Sequence, residues 1–276
     1  MPQLPVAQKA LGQHWLEDQA SLEAITDAAQ VVSGDHVLEI GPGSGTLTRE
    51  LLTHGAHVVA VEYDKALADS LASRLEDVLT QVPGQEAQLV VTHADIRRFD
   101  LGSLPPGYKL VANIPYYLTA HLLRLLTETN NPPFRTALLV QKEVAVRVAA
   151  RPGDMSFISV AVQLFYHVSL GPVVPARLFT PVPKVDSQIL ILKSRSKPLF
   201  HDIDNRAFFR VVKAGFANRR KTLLNALGAG LHIDRATTEK LLEKAGIDQS
   251  ARAQELGLDE WFDLYRSTII LQTKNL

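Results

Sequence analysis

The residues Asn113-Ile114-Pro115-Tyr116 join an amide, a rigid turn and an aromatic ring directly after an apolar segment. The amino group of a base such as adenine is a poor nucleophile, because its lone pair is delocalised into the ring. The Asn113 side-chain oxygen and the Ile114 carbonyl could accept its two N–H groups and aim the lone pair at a methyl donor. Pro115 would fix the backbone, and Tyr116 would offer a stacking face. A proline turn beside a packed tyrosine is the simpler alternative.

A glycine-rich segment earlier in the chain has the composition of a ligand-binding loop. Gly41-Pro42-Gly43-Ser44-Gly45 follows an apolar run and leads into a predicted helix. Glycines allow the backbone to turn sharply and a ligand to approach the helix N-terminus. No Gly-Lys-Ser/Thr is present, which excludes a Walker A loop. The loop alone does not distinguish a nicotinamide cofactor from S-adenosylmethionine, and a tight structural turn is the third interpretation.

Two acidic residues end the next two apolar segments. Glu62 lies about 20 residues past the glycine loop, where a carboxylate binds ribose hydroxyls in dinucleotide-binding sheets. Asp95 follows the third apolar segment and could accept a hydrogen bond from an adenine amine. An exposed acid at a strand end is the alternative for Glu62, and a helix N-cap is the alternative for Asp95.

The elements that must position these residues alternate between strand and helix. Short buried strands interleaved with helices predict a parallel sheet covered on both faces. The four motifs would then meet at the carboxyl ends of the strands, where open α/β sheets bind ligands. A further pair, 166–172 and 188–193, predicts antiparallel strands at a sheet edge. The five predicted parallel strands are 37–40, 58–61, 89–92, 110–112 and 137–140.

The chain divides at a polar, proline-containing segment, 194–204. Beyond it, the sequence shows only helical patterns. We therefore predict a catalytic domain over residues 1–196 and a small helical domain over residues 197–276.

The composition excludes several classes of protein. With 276 residues, 46% hydrophobic content and 21% charged content, the chain can build a full core and is not a disordered protein. The lack of cysteine excludes disulfides and thiolate zinc sites. No signal-peptide or membrane-span pattern is visible. We expect a cytoplasmic monomer without metal or membrane partner. The balance of 29 basic and 29 acidic residues argues mildly against a nucleic-acid partner unless the charges are clustered.

The sequence resembles the KsgA-type ribosomal RNA adenine dimethyltransferases over nearly its whole length. The glycine loop is shared by many methyltransferases, but the other motifs in combination are specific. Where many members have Asn-Phe, this chain has His14-Trp15. The motifs that carry the resemblance are Lys9–Leu16 (KALGQHWL), Glu39–Gly43 (EIGPG), Asn113–Tyr116 (NIPY), Leu139–Ala145 (LVQKEVA), Phe179–Ser187 (FTPVPKVDS) and Phe216–Leu223 (FANRRKTL).

The resemblance implies a Rossmann-like class I methyltransferase with a mostly parallel seven-stranded sheet, an antiparallel edge strand and a small all-helical C-terminal domain. It implies dimethylation, by S-adenosylmethionine, of N6 of two adjacent adenosines in the 3′-terminal hairpin loop of 16S rRNA in the small ribosomal subunit. A role in subunit biogenesis follows.

Site residues carry over position by position. The implied catalytic residues are Asn113, Ile114, Pro115, Tyr116 and Phe179, the last as a second stacking partner. The implied cofactor-binding residues are Gln13, His14, Leu16, Gly41, Gly43, Glu62, Tyr63, Asp95, Ile96 and Asn113. The candidate RNA-binding residues are Arg147, Lys184, Arg219, Arg220 and Lys221.

Basic clusters near the linker and on the first tail helices could follow phosphates, and a merely solvated helix face is the alternative. Their members are Lys193, Arg195, Lys197, Arg206, Arg210 and Lys213 together with Arg219–Lys221.

Other functions stay open at this point. The FTPVPKVDS segment and the helical tail favour the small-subunit enzymes over those acting on large-subunit rRNA. A DNA adenine-N6 methyltransferase typically carries an acidic or Asn-Pro-Pro-aromatic motif, from which Ile114 differs. A non-catalytic ribosome-assembly factor is disfavoured by the intact motifs, and a dehydrogenase by the lack of an evident hydride-transfer site.

Overall fold

The computed structural model of the protein describes residues 12–80 and 88–274. Lys9, Ala10 and Leu11 of the N-terminal motif lie outside these residues. The described chain forms two compact units. The first contains the residues up to Ala145 together with His167–Ser194, and the second contains Val146–Tyr166 and the residues from Arg195 onward.

The first unit is organised around a seven-stranded sheet with the strand order β4-β3-β2-β5-β6-β9-β7. Strands β4, β3, β2, β5 and β6 are parallel to their neighbours, and β9 is antiparallel to β6. The predicted fold class and all five predicted parallel strands are confirmed. The antiparallel strand β9 lies one place in from the edge, and β7 is outermost. The strands are β2 His36–Ile40, β3 His57–Glu62, β4 Leu89–His93, β5 Lys109–Asn113, β6 Arg135–Gln141, β7 Tyr166–Val174 and β9 Ser187–Ser194, while a separate pair is formed by β1 Trp15–Leu16 and β8 Phe179–Thr180.

The strand order explains why the motifs meet. From β2 the chain adds β3 and β4 on one side and then returns to place β5 on the other side of β2. This reversal is the topological switch point at which open α/β sheets bind ligands. The glycine loop follows β2 and Asn113 ends β5, so the two motifs flank the switch point.

Helices cover this sheet, and their apolar faces follow the predicted periodicity. Asp64 caps α3 by accepting hydrogen bonds from the backbone N–H groups of Ala66 and Leu67 at 2.9 and 3.2 Å. Buried aliphatic side chains such as Leu51, Val58 and Leu139 pack in a shared core with the two-residue strands β1 and β8. The helices are α1 Gln19–Ala29, α2 Thr46–Thr53, α3 Lys65–Arg74, α4 Glu76–Leu79, α5 Thr119–Glu128 and α6 Lys142–Val148.

Lys109, a buried residue of β5, contacts the end of α1 and the partly exposed Asp35. The Lys109 ammonium donates to the Gln30 carbonyl and to the Asp35 carboxylate, the latter at 2.6 Å. Gln30 ends α1 with a left-handed backbone (φ 55°). The lysine thus satisfies a helix-terminal carbonyl inside the sheet layer, which fixes the start of the strand that ends at Asn113.

The second unit is helical in its described residues. Its core gathers Phe208, Trp261 and Leu264 with aliphatic side chains from every helix. Two glycines permit close packing, since a Cβ at Gly215 would lie 2.5 Å from the Trp261 ring and one at Gly230 would lie 2.8 Å from the Ala214 Cα. The helices are α7 Phe157–Phe165, α8 Asn205–Phe216, α9 Leu223–Leu231, α10 Arg235–Lys244 and α11 Leu258–Lys274.

The observed units differ from the predicted division in one segment. Residues 146–166, which we assigned to the catalytic domain, pack with the helical unit. Met155, Val160 and Leu164 lie in its core, and the backbone N–H groups of Gly153 and Met155 bond the Gln254 carbonyl at 2.9 and 3.0 Å. The apolar face of α7 is visible in the sequence, but the core that it joins is not.

Candidate active site

A cleft of about 370 Å³ lies at the carboxyl ends of the strands in the first unit. This volume is within the range of small-molecule sites. Every residue that the sequence assigned to catalysis or cofactor binding lines it. These are Gln13, His14, Leu16, Gly41, Gly43, Glu62, Tyr63, Asp95, Ile96, Asn113, Ile114, Pro115, Tyr116 and Phe179.

The glycine loop is shaped by its own backbone and by the Trp15 ring packed against it. Gly41 has φ +65°, and no atom lies within 4 Å of where its Cβ would stand. Gly43 has φ +54°, and its Cβ would lie 2.4 Å from the Trp15 ring. The Arg74 guanidinium donates to the Gly43 and Ser44 carbonyls at 3.1 and 3.2 Å. The loop is therefore closed on one side and open at Gly41, where a ligand can approach the main chain.

Glu62 connects this loop to the end of β3. Its carboxylate accepts hydrogen bonds from the backbone N–H groups of Gly43 at 3.1 Å and Asp64 at 2.9 Å, and only 5% of the residue is exposed. A carboxylate has about four lone-pair sites. Two remain for a ligand, so the position fits the predicted binding of ribose hydroxyls while the side chain also shapes the glycine loop.

Sequence reasoning missed Glu39, the acid inside β2. Burial raises its pKa to about 8, and the nearby Glu62 carboxylate adds to the rise. Among the described residues its Oε2 has no hydrogen-bond partner. Glu39 lines the cleft, and an acidic residue within an otherwise apolar strand was the signal that could have identified it.

Asp95 caps a short helix, as its alternative interpretation held, and also forms an ion pair. Its Oδ1 accepts from the backbone N–H of Arg97 at 3.0 Å. The Arg97 guanidinium contacts both carboxylate oxygens, with Nε 2.9 Å from each. The hydrogen bonds from Arg97 hold the pKa of Asp95 below its usual value. Asp95 is thus an ionised acceptor at the cleft wall, and Arg97 is a second lining residue that the sequence did not reveal.

The Asn113 amide is oriented by the N-terminal segment. Its Nδ2 donates to the His14 carbonyl at 3.3 Å. Because the amide's donor is used in this way, its oxygen is the atom that it presents to a ligand amine. The His14 ring has a structural contact, with Nδ1 2.6 Å from the Pro181 carbonyl oxygen. Since a carbonyl only accepts, Nδ1 carries the proton.

The Tyr116 side chain is held by one contact to its hydroxyl and another to its ring. Its hydroxyl is 2.9 Å from the Ser187 Oγ, which is fully buried at the start of β9. Its ring stacks against His14 with centroids 6.0 Å apart and planes inclined by 23°. Burial raises the pKa of the Tyr116 hydroxyl. The contacts explain why GQHW, NIPY and FTPVPKVDS occur together, since the outer two segments orient the middle one.

Two aromatic residues at the cleft differ from Tyr116 in exposure. Phe179 is 2% exposed and belongs to the core, so its predicted stacking on a base stays a prediction. Tyr117, for which the sequence indicated no role, is 67% exposed and lines the cleft. Its ring stands 3.5 Å from the position of a Cβ on Gly12.

The predicted RNA-binding residues are all exposed and do not line the cleft. Arg219, Arg220 and Lys221 lie in the turn between α8 and α9, Lys184 lies before β9, and Arg147 is in the last turn of α6. One member of the wider basic clusters has a structural contact instead. Arg195 donates from its backbone N–H to the Phe165 carbonyl and from its guanidinium to the Gln163 carbonyl, at 3.0 and 3.1 Å, and so satisfies the end of α7.

In residues 12–80 and 88–274, no cluster of three or more histidine, aspartate or glutamate residues could hold a metal ion. In the same residues, no helix has the length and apolar character needed to cross a membrane.

The fold and cleft define a class of protein. A switch-point cleft, a glycine loop after the first parallel strand, an acid after the second and an antiparallel strand inserted beside β6 are the features of Rossmann-like class I methyltransferases. The family model described as ribosomal RNA adenine dimethylase matches residues 6–269. The chain belongs to this family.

Known proteins show the same relationship. A Ribosomal RNA small subunit methyltransferase A of Dehalococcoides mccartyi (strain CBDB1) is 40% identical over 259 residues, which cover 92% of this chain and 86% of that protein. The crystal structure of the 23S rRNA methyltransferase ErmE has a TM-score of 0.71 at 27% identity, covering 92% of this chain and 98% of the other. A dimethyladenosine transferase from Plasmodium falciparum shares the fold, with a TM-score of 0.77 at 24% identity, 95% coverage of this chain and 98% of the other.

Proposed function

We propose that this protein uses S-adenosylmethionine to dimethylate N6 of two adjacent adenosines in the 3′-terminal hairpin loop of 16S rRNA within the small ribosomal subunit. The observation that supports this proposal most strongly is the orientation of the Asn113 amide. The His14 carbonyl accepts a hydrogen bond from this amide, which lies beside the fixed Tyr116 ring. Family membership and the relative named as a small-subunit enzyme support this substrate over large-subunit rRNA. The site of action would be the cytoplasm, and a role in subunit biogenesis would follow.

The cleft residues fit S-adenosylmethionine, which supplies a methyl group activated by a sulfonium centre. Gly41 leaves open space beside the main chain, and Glu62 keeps lone pairs for ribose hydroxyls. Asp95 and Ile96 would bind the adenine part, with Tyr63 beside them at the cleft wall. Gln13, His14 and Leu16 would form the opposite wall with Gly43, against which Trp15 packs.

The substrate adenine would be held by the NIPY segment. The Asn113 Oδ1 and the Ile114 carbonyl would accept the two N–H groups of its amine, which localises the lone pair on nitrogen. Pro115 starts the turn Tyr116–Leu118, and its carbonyl accepts the Leu118 N–H at 2.9 Å. Tyr116 would stack on the base, with Phe179 as the second aromatic wall. No strong base is required, because the amine becomes acidic once it carries the new bond.

The helical unit, which contains residues 146–166 and the residues from Arg195 onward, would bind RNA and the particle, while the first unit would hold the cofactor and the target base. Arg219, Arg220 and Lys221 would contact phosphates, with Arg147 and Lys184 as additional contacts. Exposed cations act on phosphates mainly through charge, so binding should depend strongly on salt. We propose that the protein acts as a monomer without a metal ion, which light scattering and turnover in the presence of chelator would test.

The experiment is direct. Small ribosomal particles lacking the modification are incubated with the protein and labelled S-adenosylmethionine, and methylated nucleotides are mapped by mass spectrometry. Dimethyladenosine at two adjacent positions of the hairpin loop is the expected result. Methylation confined to large-subunit RNA or DNA, or no methylation with intact binding, would contradict the proposal and favour the corresponding alternative.

A further inference from the structure

One face of α8 carries a row of cations. Arg206, Arg210 and Lys213 follow the i, i+4, i+7 spacing of a helix surface and are all exposed. The row spans about 10 Å along the helix axis. None of the three forms an ion pair in the described chain. With Ala207 and Phe209 they line a shallow depression that also includes Phe157 and Asp204.

The charge of this depression is not neutralised. Asp204 is its one acidic lining residue in the described chain. The Asp204 carboxylate accepts hydrogen bonds from the backbone N–H groups of Arg206 and Ala207 at 2.8 and 3.1 Å, so it is engaged in capping α8. Arg235 on α10 shows the contrast, since it pairs with Glu239 at 2.8 Å. A solvated helix face of the ordinary kind has such mixed charges, and the α8 face does not.

The aromatic ring of Phe157 lies beside these cations. Phe157, the first residue of α7, is 40% exposed. Its ring centroid lies 6.0 Å from that of Phe209, which in turn lies 6.4 Å from Phe165 and 5.4 Å from Phe208. Three packed aromatic rings therefore hold a fourth in place with two-fifths of its surface exposed.

A row of unneutralised cations beside a fixed, exposed ring matches what unpaired nucleotides offer. Phosphates would bind along the cations, and the π-face of a base would stack on the ring. We propose that the α8 face, defined as Phe157, Arg206, Phe209, Arg210 and Lys213, binds an unpaired segment of ribosomal RNA. This inference depends on the proposed function only in that the RNA is taken to be ribosomal. It adds a base-stacking contact to the phosphate contacts proposed for Arg219–Lys221.

The test compares variants that remove equal charge from the same unit. Binding of the full chain to protein-free small-subunit RNA is measured over a range of salt concentrations. Arg206→Gln with Arg210→Gln and Lys213→Gln should weaken binding by about tenfold and lower the salt slope by about 2, the value for three lost single-strand phosphate contacts. The matched control is Arg235→Gln with Lys240→Gln and Lys244→Gln on α10, which should change neither quantity. Circular dichroism and melting temperature confirm that both variants are folded.

A second pair of variants isolates the stacking contact. Phe157→Ala should weaken RNA binding by about tenfold without changing the salt slope, because a lost base contact releases no counterions. Phe134→Ala, which removes a ring of similar exposure (45%) from the first unit, is the control and should bind as the parent protein does.

The outcomes separate the two proposals. If the α8 variant binds RNA as the α10 variant does, the α8 face is not an RNA contact. If it loses affinity for intact particles and keeps its affinity for protein-free RNA, the partner is a ribosomal protein and the RNA assignment is overturned. Methylation of the hairpin adenosines by the parent protein is assayed in parallel, so a failure of the proposed function is recognised independently of these binding results.

Discussion

Two loops that carry motifs of the family, NIPY and FANRRKTL, are built in opposite ways. The loop at the end of β5 is fixed by partners from distant segments: His14 bonds Asn113, and Ser187 bonds Tyr116. The turn between α8 and α9 is exposed from residue 217 to residue 221. The first loop has a defined orientation for each polar atom, whereas the second has a concentration of charge.

In the proposed function, the difference reflects what each loop would recognise. An amine that reacts must be held within a fraction of an ångström, because misplacement by 1 Å can cost a hundredfold in rate. A phosphate attracts a cation over a Debye length of about 8 Å at physiological salt, without a fixed geometry. Buried anchors are therefore expected around a catalytic loop, and exposed cations around an RNA-docking loop.

The strongest test of this contrast removes the oriented amide. Asn113→Ala should lower kcat by about 10²- to 10³-fold, the usual cost of losing a preorganised hydrogen-bonding group. RNA affinity should change little, because in the proposed function the amide contacts the reacting base and no other part of the RNA. Single-turnover methylation and equilibrium binding measure the two effects. Near-normal turnover would show that the amine is held by other atoms.

The second test uses Glu39, the buried acid at the wall of the cleft. The folded-state pKa of Glu39 is raised to about 8 from 4.5. Between these values the native protein keeps a proton that the unfolded chain releases, so the free energy of unfolding falls as pH rises. The parent protein should therefore lose about 3 kcal/mol of stability between pH 5 and pH 8 through Glu39, and Glu39→Gln should not show this loss.

Urea denaturation at several pH values measures that difference. Glu76→Gln, at an exposed glutamate, is the control and should follow the parent protein. Parallel curves for parent and Glu39→Gln would mean that Glu39 is ionised in the native state at neutral pH.

Substitutions in the exposed turn should lower RNA affinity and leave kcat unchanged, which is the reverse of the effect expected for Asn113→Ala. Arg219→Ala with Arg220→Ala should weaken RNA binding by about tenfold and reduce the salt slope by about 1.4, because two phosphate contacts are lost. At saturating RNA, kcat should stay near the parent value. Filter binding from low to high salt provides the measurement, and an unchanged slope would remove both arginines from the interface.

The smallest expected effect comes from an anchor that does not touch the base. Ser187→Ala removes the hydroxyl that holds Tyr116 and should lower kcat by about fivefold, as a lost neutral hydrogen bond of about 1 kcal/mol implies. The KM for RNA should change less than kcat. Ser187→Thr keeps the hydroxyl and should restore the rate. Equal losses in both variants would indicate a packing defect instead of lost positioning.

The sequence predicted the strands and the lining of the cleft well, because apolar runs and the residues that end them are local signals. It did not predict which groups hold the catalytic ones. Trp15 on Gly43, Arg97 on Asp95 and Ser187 on Tyr116 are contacts between segments distant in sequence or shaped by local turns. Residues 146–166 were assigned to the wrong core for the same reason, since an apolar helix face does not specify its partner.

The β1–β8 pair has a kinetic consequence for the cleft. Only Trp15–Thr180 and Leu16–Phe179 are paired across it, yet its first strand carries the indole that covers Gly43 and follows the carbonyl that orients Asn113. We expect a ladder this short to open by local unfolding at a lower free energy than the seven-stranded sheet. Cofactor exchange should thus be governed by the opening of this pair, and bound cofactor should slow amide hydrogen exchange there more than in β2.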